Sequence, residues 1–328
     1  MPLPTEPIGS IPRPQELLTA APSELAAAQE RAVRETLRRL EELGSPVVTD
    51  GEQSKPSFAT YPIAGLADLA PDGAVIPFAD GHQRQLPRLT AGPFRYTGHA
   101  VDYLRAAQRH ATAPVKQAVI APSALSLLYP ADGIDGYPRE MFLDDLVDEA
   151  EADIRSCLDA GAHVVQLDFT EGRLSLKLDP SGGVLDAFIA LNNRVLERFS
   201  SDERARIGVH VCPGGDLDST HSLDVDYAEL LPKLFELKAA PSTSSWPANP
   251  TPTGSWPSSP PTCPRTPASS SASSTPSTPA SRRPSRSATA SSPPPATCPS
   301  TASAPATTAA SPRSPTTPPR PATRPSRR

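Results

Sequence analysis

His210 and Cys212 carry the strongest chemical signal in the sequence. They stand two residues apart in GVHVC, an apolar run that predicts a strand. Side chains at positions i and i+2 of a strand point to the same face, so an imidazole and a thiolate could both reach one metal ion. This pattern alone is weak, and a chance pair that includes a buried cysteine is the competing interpretation.

Two carboxylates stand where apolar strands would end. Asp168 follows the run HVVQL, and Glu52 holds the equivalent place in VVTDGEQ. A carboxylate at such a place needs a cationic or hydrogen-bonding partner. A ligand ammonium group is one candidate, and a structural arginine or a helix N-terminus is the other. Both interpretations stay open for each residue.

A third feature is the N-terminal run Ile8, Gly9 and Ser10, which predicts a turn. Its glycine would let backbone N–H groups approach a ligand carboxylate. An ordinary turn without a ligand is the alternative.

Alternating strands and helices must position these residues. Predicted strands cover residues 47–50, 115–121, 163–169 and 207–212, and predicted helices cover residues 23–43, 138–160, 184–199 and 227–238. This alternation predicts an α/β fold with a parallel sheet, and nearly continuous apolar strands predict a sheet covered on both faces. In a β/α barrel, the loops at the carboxyl ends of the strands form the active site. Cys157 shares the apolar stripe of its helix with Ile154, so we expect it in the core.

Composition divides the chain near residue 240. The formal charge is −5 in total, but residues 241–328 contain nine Arg and no Asp, Glu or Lys, so the first 240 residues carry −14. An acidic body argues against a nucleic-acid-binding surface. Residues 1–43 contain no long apolar run and no basic-then-apolar leader. We therefore predict no signal peptide, no membrane span and a cytoplasmic location.

Residues 241–328 form a low-complexity tail in which 82 of 88 residues are Pro, Ser, Thr, Ala or Arg. This composition is typical of disordered segments. The same composition is also expected when GC-rich DNA is translated in the wrong reading frame. If each true codon joins the last base of one codon to the first two of the next, residues 241–257 permit FYIVLAGEPDPDRVLA, and residues 306–328 permit a segment with DDCGF. We predict a partial barrel over residues 1–240, a frameshift near residue 240 and an out-of-frame tail.

Five motifs in serial order, IGSIPRP, VVTDGEQ, VKQAVIAP, VVQLDF and GVHVC, resemble the cobalamin-independent methionine synthase family in its short single-barrel form. The resemblance spans nearly all of residues 5–240. It implies an incomplete (β/α)8 barrel of the TIM type, with about five of its eight strands. It also implies a zinc cofactor, a small-molecule thiol substrate and a methyl donor, which in the family is 5-methyltetrahydrofolate.

The same resemblance assigns roles to the candidate residues. The implied zinc ligands are His210 and Cys212, the amino group of homocysteine would lie at Glu52 and Asp168, and its carboxylate would lie at Ile8, Gly9 and Ser10. Two later zinc ligands of the family, a Glu and a Cys, are missing from the chain as written. The shifted reading supplies both, in LAGEPD and DDCGF. We therefore predict a methyltransferase family and little or no activity in this chain.

Other functions stay open. The family's Asp-Glu-Pro after the fourth strand is Asp168-Phe169-Thr170 here, and Pro-Gly-Gly follows Cys212. The methyl donor could therefore differ from that of the family, and a corrinoid protein or another alkyl donor stays open. A second hypothesis is an alkyltransferase that acts on another thiol, such as coenzyme M. A third is a non-enzymatic binding module whose genuine disordered basic arm binds acidic partners or Pro-recognising domains.

Overall fold

A computed structural model describes residues 6–239 of the chain. The predicted tail and frameshift lie outside these residues, as does the predicted domain boundary. The helices are α1 (Gln15–Leu18), α2 (Leu25–Glu42), α3 (Val101–Gln108), α4 (Pro122–Leu125), α5 (Arg139–Asp159), α6 (Glu171–Leu178), α7 (Gly183–Leu196), α8 (Ser201–Arg204) and α9 (Tyr227–Leu234), with 3-10 turns at Tyr61–Ile63 and Ser126–Leu128. The strands are β1 (Leu69–Ala70), β2 (Val75–Pro77), β3 (Gln83–Gln85), β4 (Arg88–Leu89), β5 (Lys116–Ile120), β6 (Val164–Asp168), β7 (Ile207–His210), β8 (Gly215–Asp216) and β9 (Ser219–Thr220). Within residues 6–239, no helix is both long and apolar enough to cross a membrane.

A parallel sheet forms the centre of this fold. Strands β5, β6 and β7 lie side by side in that order. Val48 forms a single parallel bridge to Val115, so the predicted first strand lies at the edge beside β5. Chain order therefore equals spatial order, and helices connect the strands, as in consecutive units of a β/α fold. The predicted parallel sheet is confirmed, but the described residues supply three strands and one bridging segment to it, rather than about five strands.

The long helices follow from apolar residues spaced three and four apart. Helix α5 buries Phe142, Leu146, Ile154 and Cys157 along one stripe, and it packs on β5, β6 and α7. Cys157 is fully buried, as predicted. Such a stripe covers the apolar face of the sheet and removes it from water.

Two helices are shorter than predicted. Helix α7 ends at Leu196, and α8 begins soon afterwards with a capping box in which Ser200 accepts the N–H of Glu203. This box satisfies backbone groups at the start of α8 and separates it from α7. Helix α9 ends at Leu234, two residues beyond Pro232.

Three small antiparallel pairs were not predicted. They are β1 with β4, β2 with β3, and β8 with β9. Strands of two or three residues give too little periodicity to be recognised in a sequence. The loop between β2 and β3 contacts the β8–β9 pair, because Ala79 donates its N–H to the carbonyl oxygen of Thr220 at 3.0 Å.

Candidate functional site

The inner face of the parallel sheet is unusually polar. Partners in a parallel register share a face, and Asp168 is the partner of both Ile120 and His210. Gln166 lies two residues before Asp168 on β6 and is the partner of Ala118 and Gly208. Glutamine and aspartate therefore follow each other on the face of β6 that also bears His210 on β7. This polar edge lies at the carboxyl ends of the strands.

Glu52 reaches this edge from a tight turn after the first strand segment. Gly51 and Glu52 both have left-handed backbones, with φ of 63° and 54°. A left-handed glutamate is unfavourable, and Asp50 supports it because its Oδ1 accepts the N–H of Glu52 at 2.9 Å. The turn therefore holds the Glu52 side chain in the interior, where it is 5% exposed.

Lys55 is the direct partner of Glu52. Its Nζ lies 2.9 Å from Oε1 of Glu52, and it donates to the carbonyl oxygen of Ala118 at 2.8 Å. The same Nζ lies 4.6 Å from the centre of the Tyr61 ring. Lys55 is 2% exposed, so this is a buried ion pair. Burial opposes the charge of Lys55, but the carboxylates of Glu52 and Asp50 outweigh it and raise its pKa.

The predicted carboxylate-binding turn lies beside this pair. Gly9 is buried, while Ile8 and Ser10 are exposed. The carbonyl oxygen of Gly9 accepts the Thr49 hydroxyl at 3.4 Å, and a methyl group added to Gly9 would lie 3.9 Å from Cβ of Ala118. Gly9 and Lys55 therefore both lie close to Ala118 of β5.

Asp168 lies in the same electrostatic environment. Its Oδ1 accepts the side-chain amide of Gln166 at 2.7 Å. Burial raises the pKa of Asp168 and the charge of Glu52 raises it further, whereas Lys55 and Lys116 act in the opposite direction. The negative charge of Asp168 is therefore partly compensated by cationic and hydrogen-bonding groups of this chain.

A second buried lysine completes the polar face. Lys116 begins β5 and is 1% exposed, and its Nζ lies 3.2 Å from Oε1 of Glu6 and 2.9 Å from Oε1 of Gln166. Burial lowers the pKa of Lys116, while Glu6 opposes that change. Both buried lysines therefore have carboxylate partners within the chain.

The predicted metal ligands lie at the end of β7. His210 is buried, and its carbonyl oxygen accepts the N–H of Phe169 at 2.8 Å. The Sγ of Cys212 accepts the N–H of Gly214 at 3.4 Å. Burial raises the pKa of the Cys212 thiol, so the protonated form is favoured where no metal ion lowers that pKa.

His210 and Cys212 do not complete a zinc site within the described residues. Across residues 6–239, no group of three or more His, Cys, Asp and Glu side chains is arranged to hold a metal ion. A catalytic zinc site normally has three protein ligands. The described part of the chain therefore supplies two candidate donors, and its donor set does not fit a catalytic zinc ion by itself.

A buried carboxyl group beyond β6 was missed by the sequence reasoning. Glu171 begins α6, and its Oε1 accepts the hydroxyl of Ser123, which in turn lies 2.9 Å from Oδ1 of Asn192. Within residues 6–239, its Oε2 has no hydrogen-bond partner. Burial raises the pKa of Glu171 to about 8, so the group is mostly protonated at neutral pH and can serve as a hydrogen-bond donor.

Lys55, Lys116 and Glu171 each left a signal in the sequence. Lys55 follows Glu52 by three residues, Lys116 opens an otherwise apolar strand, and Glu171 follows Asp168 by three residues. Charged residues at such positions need partners. The partners themselves come from distant parts of the chain and were not evident.

Two surface cavities lie at a different place. One, of about 410 Å³, is lined by residues between Tyr129 and Arg139. The other, of about 630 Å³, is lined by parts of the same loop and by residues between Arg88 and Pro93. Neither is lined by a predicted site residue, and the candidate residues lie on the polar face of the sheet instead.

Known structures share this fold. No family model matches the chain, and no curated protein sequence matches it. The structure is similar to that of a B12-independent methionine synthase from Shewanella sp. W3-18-1 in complex with selenomethionine, with a TM-score of 0.56, 21% identity, and coverage of 72% of this chain and 71% of that chain. A putative vitamin-B12 independent methionine synthase from Listeria monocytogenes aligns with a TM-score of 0.46, 20% identity, and coverage of 65% and 68%. The first similarity shows that this chain has a fold like that of cobalamin-independent methionine synthases.

Proposed function

We propose, from this shared fold, that the gene encodes a methyltransferase of the cobalamin-independent methionine synthase type. The supporting observation is the polar face at the carboxyl edge of the parallel sheet, where Glu52, Asp168 and His210 are buried on neighbouring segments. In β/α folds this edge is where active sites form. The selenomethionine bound by the Shewanella protein supports a sulfur-containing amino acid, or a related thiol, as the ligand class.

The proposed reaction transfers a methyl group to the sulfur of a small-molecule thiol, with homocysteine as the acceptor and 5-methyltetrahydrofolate as the donor in the family resemblance. The thiol loses its proton, and a sulfur–carbon bond forms as the nitrogen–carbon bond of the donor breaks. The electron pair of that bond stays on the donor nitrogen, which then takes up a proton. Atoms and charge balance without an oxidant or a reductant.

The residue roles proposed for this reaction follow the order of the strands. Glu52 and Asp168 are proposed to face the amino end of the thiol substrate. The backbone at Ile8, Gly9 and Ser10 is proposed to face its carboxylate. Oriented groups of this kind lower the entropic cost of bringing the sulfur to the methyl donor.

Zinc is the cofactor expected from the resemblance, and His210 and Cys212 are its proposed ligands. Two donors do not hold a catalytic zinc ion firmly. We therefore propose that the 328-residue chain as written has little methyl-transfer activity. The missing Glu and Cys are proposed to be encoded in the shifted frame beyond residue 240, and the tail as written is proposed to be an out-of-frame translation.

The gene sequence tests this proposal. Resequencing across the codons for Lys238 to Ser245 should reveal a one-base correction that restores an apolar strand followed by Glu. The frame-restored protein should contain about one zinc per chain and transfer methyl groups to a thiol, and replacement of His210 or Cys212 by Ala should abolish both properties. A restored protein that retains zinc but methylates no thiol would disprove the proposed function.

A further inference from the structure

The β2–β3 hairpin and the β8–β9 pair meet on the carboxyl side of the parallel sheet. The hairpin, residues 75–85, belongs to the connection that follows the first strand segment, and β8–β9 belongs to the connection that follows β7. These two segments are the opposite edges of the described sheet, and loops that follow parallel strands lie at their carboxyl ends. The contact therefore joins the two edges of the sheet on the side where Asp168 and His210 lie.

Asp216 of β8 is the main polar link in this contact. Its carboxylate accepts two hydrogen bonds from the guanidinium group of Arg84 on β3, one of them at 3.0 Å. Nε2 of His82 lies 3.0 Å from Oδ2 of the same carboxylate. The hydrogen bond from Arg84 lowers the pKa of Asp216, so the carboxylate stays ionised and holds both hairpin side chains by charge.

Little apolar burial holds the hairpin in place. The structure describes all of residues 71–88, and none of them is buried. Two backbone N–H groups of the hairpin donate to β9, from Ala79 to the carbonyl oxygen of Thr220 at 3.0 Å and from Asp80 to the hydroxyl of Ser219 at 3.3 Å. A segment with few buried apolar contacts and exposed hydrogen bonds opens at a low free-energy cost. The position of the hairpin therefore depends on its polar contact with β8–β9.

The turn between β8 and β9 has a strained backbone. It consists of Leu217 and Asp218, whose φ values are 46° and 61°. A two-residue hairpin turn with two positive φ values favours Gly or Asn. Other residues adopt this conformation at a cost, and they keep it where neighbouring contacts hold it. Asp216 and Ser219, on the two sides of this turn, are the residues that contact the hairpin.

The loop that carries β8–β9 also contacts Cys212. Sγ of Cys212 accepts the N–H of Gly214 at 3.4 Å. The ring of His221 lies against Gly214, since a Cβ added to Gly214 would lie 1.7 Å from Nε2 of His221. The same ring meets Phe78 of the hairpin edge-on, with 5.5 Å between the ring centres. A continuous series of contacts therefore leads from the hairpin to the sulfur of Cys212.

We propose that the β2–β3 hairpin is a lid on the candidate site, held closed by its contact with Asp216, and that it opens to admit a small-molecule ligand to Cys212 and the polar face. The closed lid excludes water from the site, as mobile loops do in many enzymes. The identity of the ligand rests on the proposed function, whereas the motion of the lid can be measured without ligand or turnover.

Two rates report the opening of the lid in the full 328-residue chain. They are the hydrogen exchange of the Ala79 N–H and the labelling of Cys212 by N-ethylmaleimide, which mass spectrometry assigns to the peptide that contains Cys212. Asp216→Ala removes the acceptor shared by His82 and Arg84. We expect both rates to rise about fivefold, because two partly exposed charged contacts are lost.

A second variant opens the lid from the hairpin side. The double variant His82→Ala with Arg84→Ala leaves the loop after Cys212 unchanged and replaces two side chains that are not buried, so it should fold and show the same increase in both rates. Asp72→Ala is the matched control, because it breaks an exposed ion pair with Arg88 within the same connection. Both rates should stay at their wild-type values in this control.

Unchanged rates in both opening variants would overturn the lid. Faster labelling in Asp216→Ala alone would also overturn it, because the effect would then arise within the loop after Cys212. Faster exchange at Ala79 with unchanged labelling of Cys212 would show that the hairpin opens without controlling access to the site, which equally overturns the inference. Methyl transfer by the frame-restored protein is a separate measurement, so failure of the lid and failure of the proposed function are distinguishable.

Discussion

Asp168 and His210 are register partners at the ends of the parallel strands β6 and β7. Neighbouring strands lie about 4.8 Å apart, and the side chains of register partners point to the same face of the sheet. A buried carboxylate and a buried imidazole therefore share one edge, beside the ion pair of Glu52 and Lys55. Because charges interact strongly in such an interior, a substitution at any of these four residues changes the surroundings of the others.

The buried ion pair between Lys55 and Glu52 should contribute to the stability of the fold. Lys55→Met leaves the Glu52 carboxylate buried without its cation, and we expect the free energy of unfolding to fall by about 3 kcal/mol. Adding Glu52→Gln removes the unpaired charge and should restore part of that loss. Urea denaturation of the wild type, both single variants and the double variant measures the coupling. Additive effects of the two substitutions would show that the pair is not coupled.

Glu171 should make stability depend on pH in an unusual direction. Its pKa is raised from 4.5 to about 8 by burial, so the folded state binds more protons than the unfolded state between these pH values. The contribution is fully present below pH 4.5, decreases as pH rises, and is lost above about pH 8. The decrease amounts to at most about 1.4 kcal/mol per pH unit.

Glu171→Gln removes this dependence because an amide does not titrate. We expect the free energy of unfolding of the variant, measured relative to the wild type, to increase between pH 5 and pH 8 (about the range set by the two pKa values). Glu229→Gln changes an exposed glutamate in the first turn of helix α9 and serves as the control. Parallel pH profiles for wild type and Glu171→Gln would contradict the buried, protonated state of Glu171.

Asp153 is a buried aspartate on helix α5. It accepts the Tyr61 hydroxyl and the N–H of Ala100, the latter at 2.6 Å. Asp153→Ala leaves two buried donors without an acceptor, each at a cost of about 1–3 kcal/mol, so we expect a loss of about 3 kcal/mol. Asp148→Ala, on the same helix with a side chain 65% exposed, should cost less than about 0.5 kcal/mol. Similar urea midpoints for the two variants would contradict this account.

Local sequence patterns predicted the central fold because its elements are long and periodic. The apolar stripe of α5 and the apolar runs of β6 and β7 gave bounds within one or two residues. Gly and Ser at helix ends, and Pro after β5, added boundary signals. The same patterns placed Asp168 at the end of one strand and His210 within the next, and their register pairing brings both to one edge of the sheet.

Long-range contacts account for what the sequence did not predict. Lys55 and Ala118 are 63 residues apart, and Ser123 and Asn192 are 69 residues apart. No local pattern indicates such a pairing, because it depends on how the segments pack. The proposed ammonium site at Glu52 was therefore inferred without Lys55, its cationic partner in the chain.

The loop after Cys212 provides a final test of how closely the candidate site is packed. Gly214 has a φ of 67°, and a Cβ added there would lie 1.7 Å from Nε2 of the buried His221. The N–H of Gly214 also donates to Sγ of Cys212. An alanine at this position meets both an unfavourable backbone and a side chain that is itself packed, so the loop must move.

Gly214→Ala should therefore lower the free energy of unfolding by about 2 kcal/mol and increase the reactivity of Cys212 towards a thiol reagent. Gly215→Ala is the matched control, because an added Cβ there has no heavy atom within 4 Å among the described residues. We expect the control to change stability by less than about 0.5 kcal/mol. Urea denaturation and timed labelling with a maleimide measure the two effects. The side chain of Cys157 is fully buried, and the chain also contains Cys263 and Cys298, so labelling is assigned to Cys212 by mass spectrometry of its own peptide. Equal labelling rates in wild type and Gly214→Ala would mean that Gly214 does not control access to Cys212, since a displaced loop exposes the sulfur that its N–H otherwise covers.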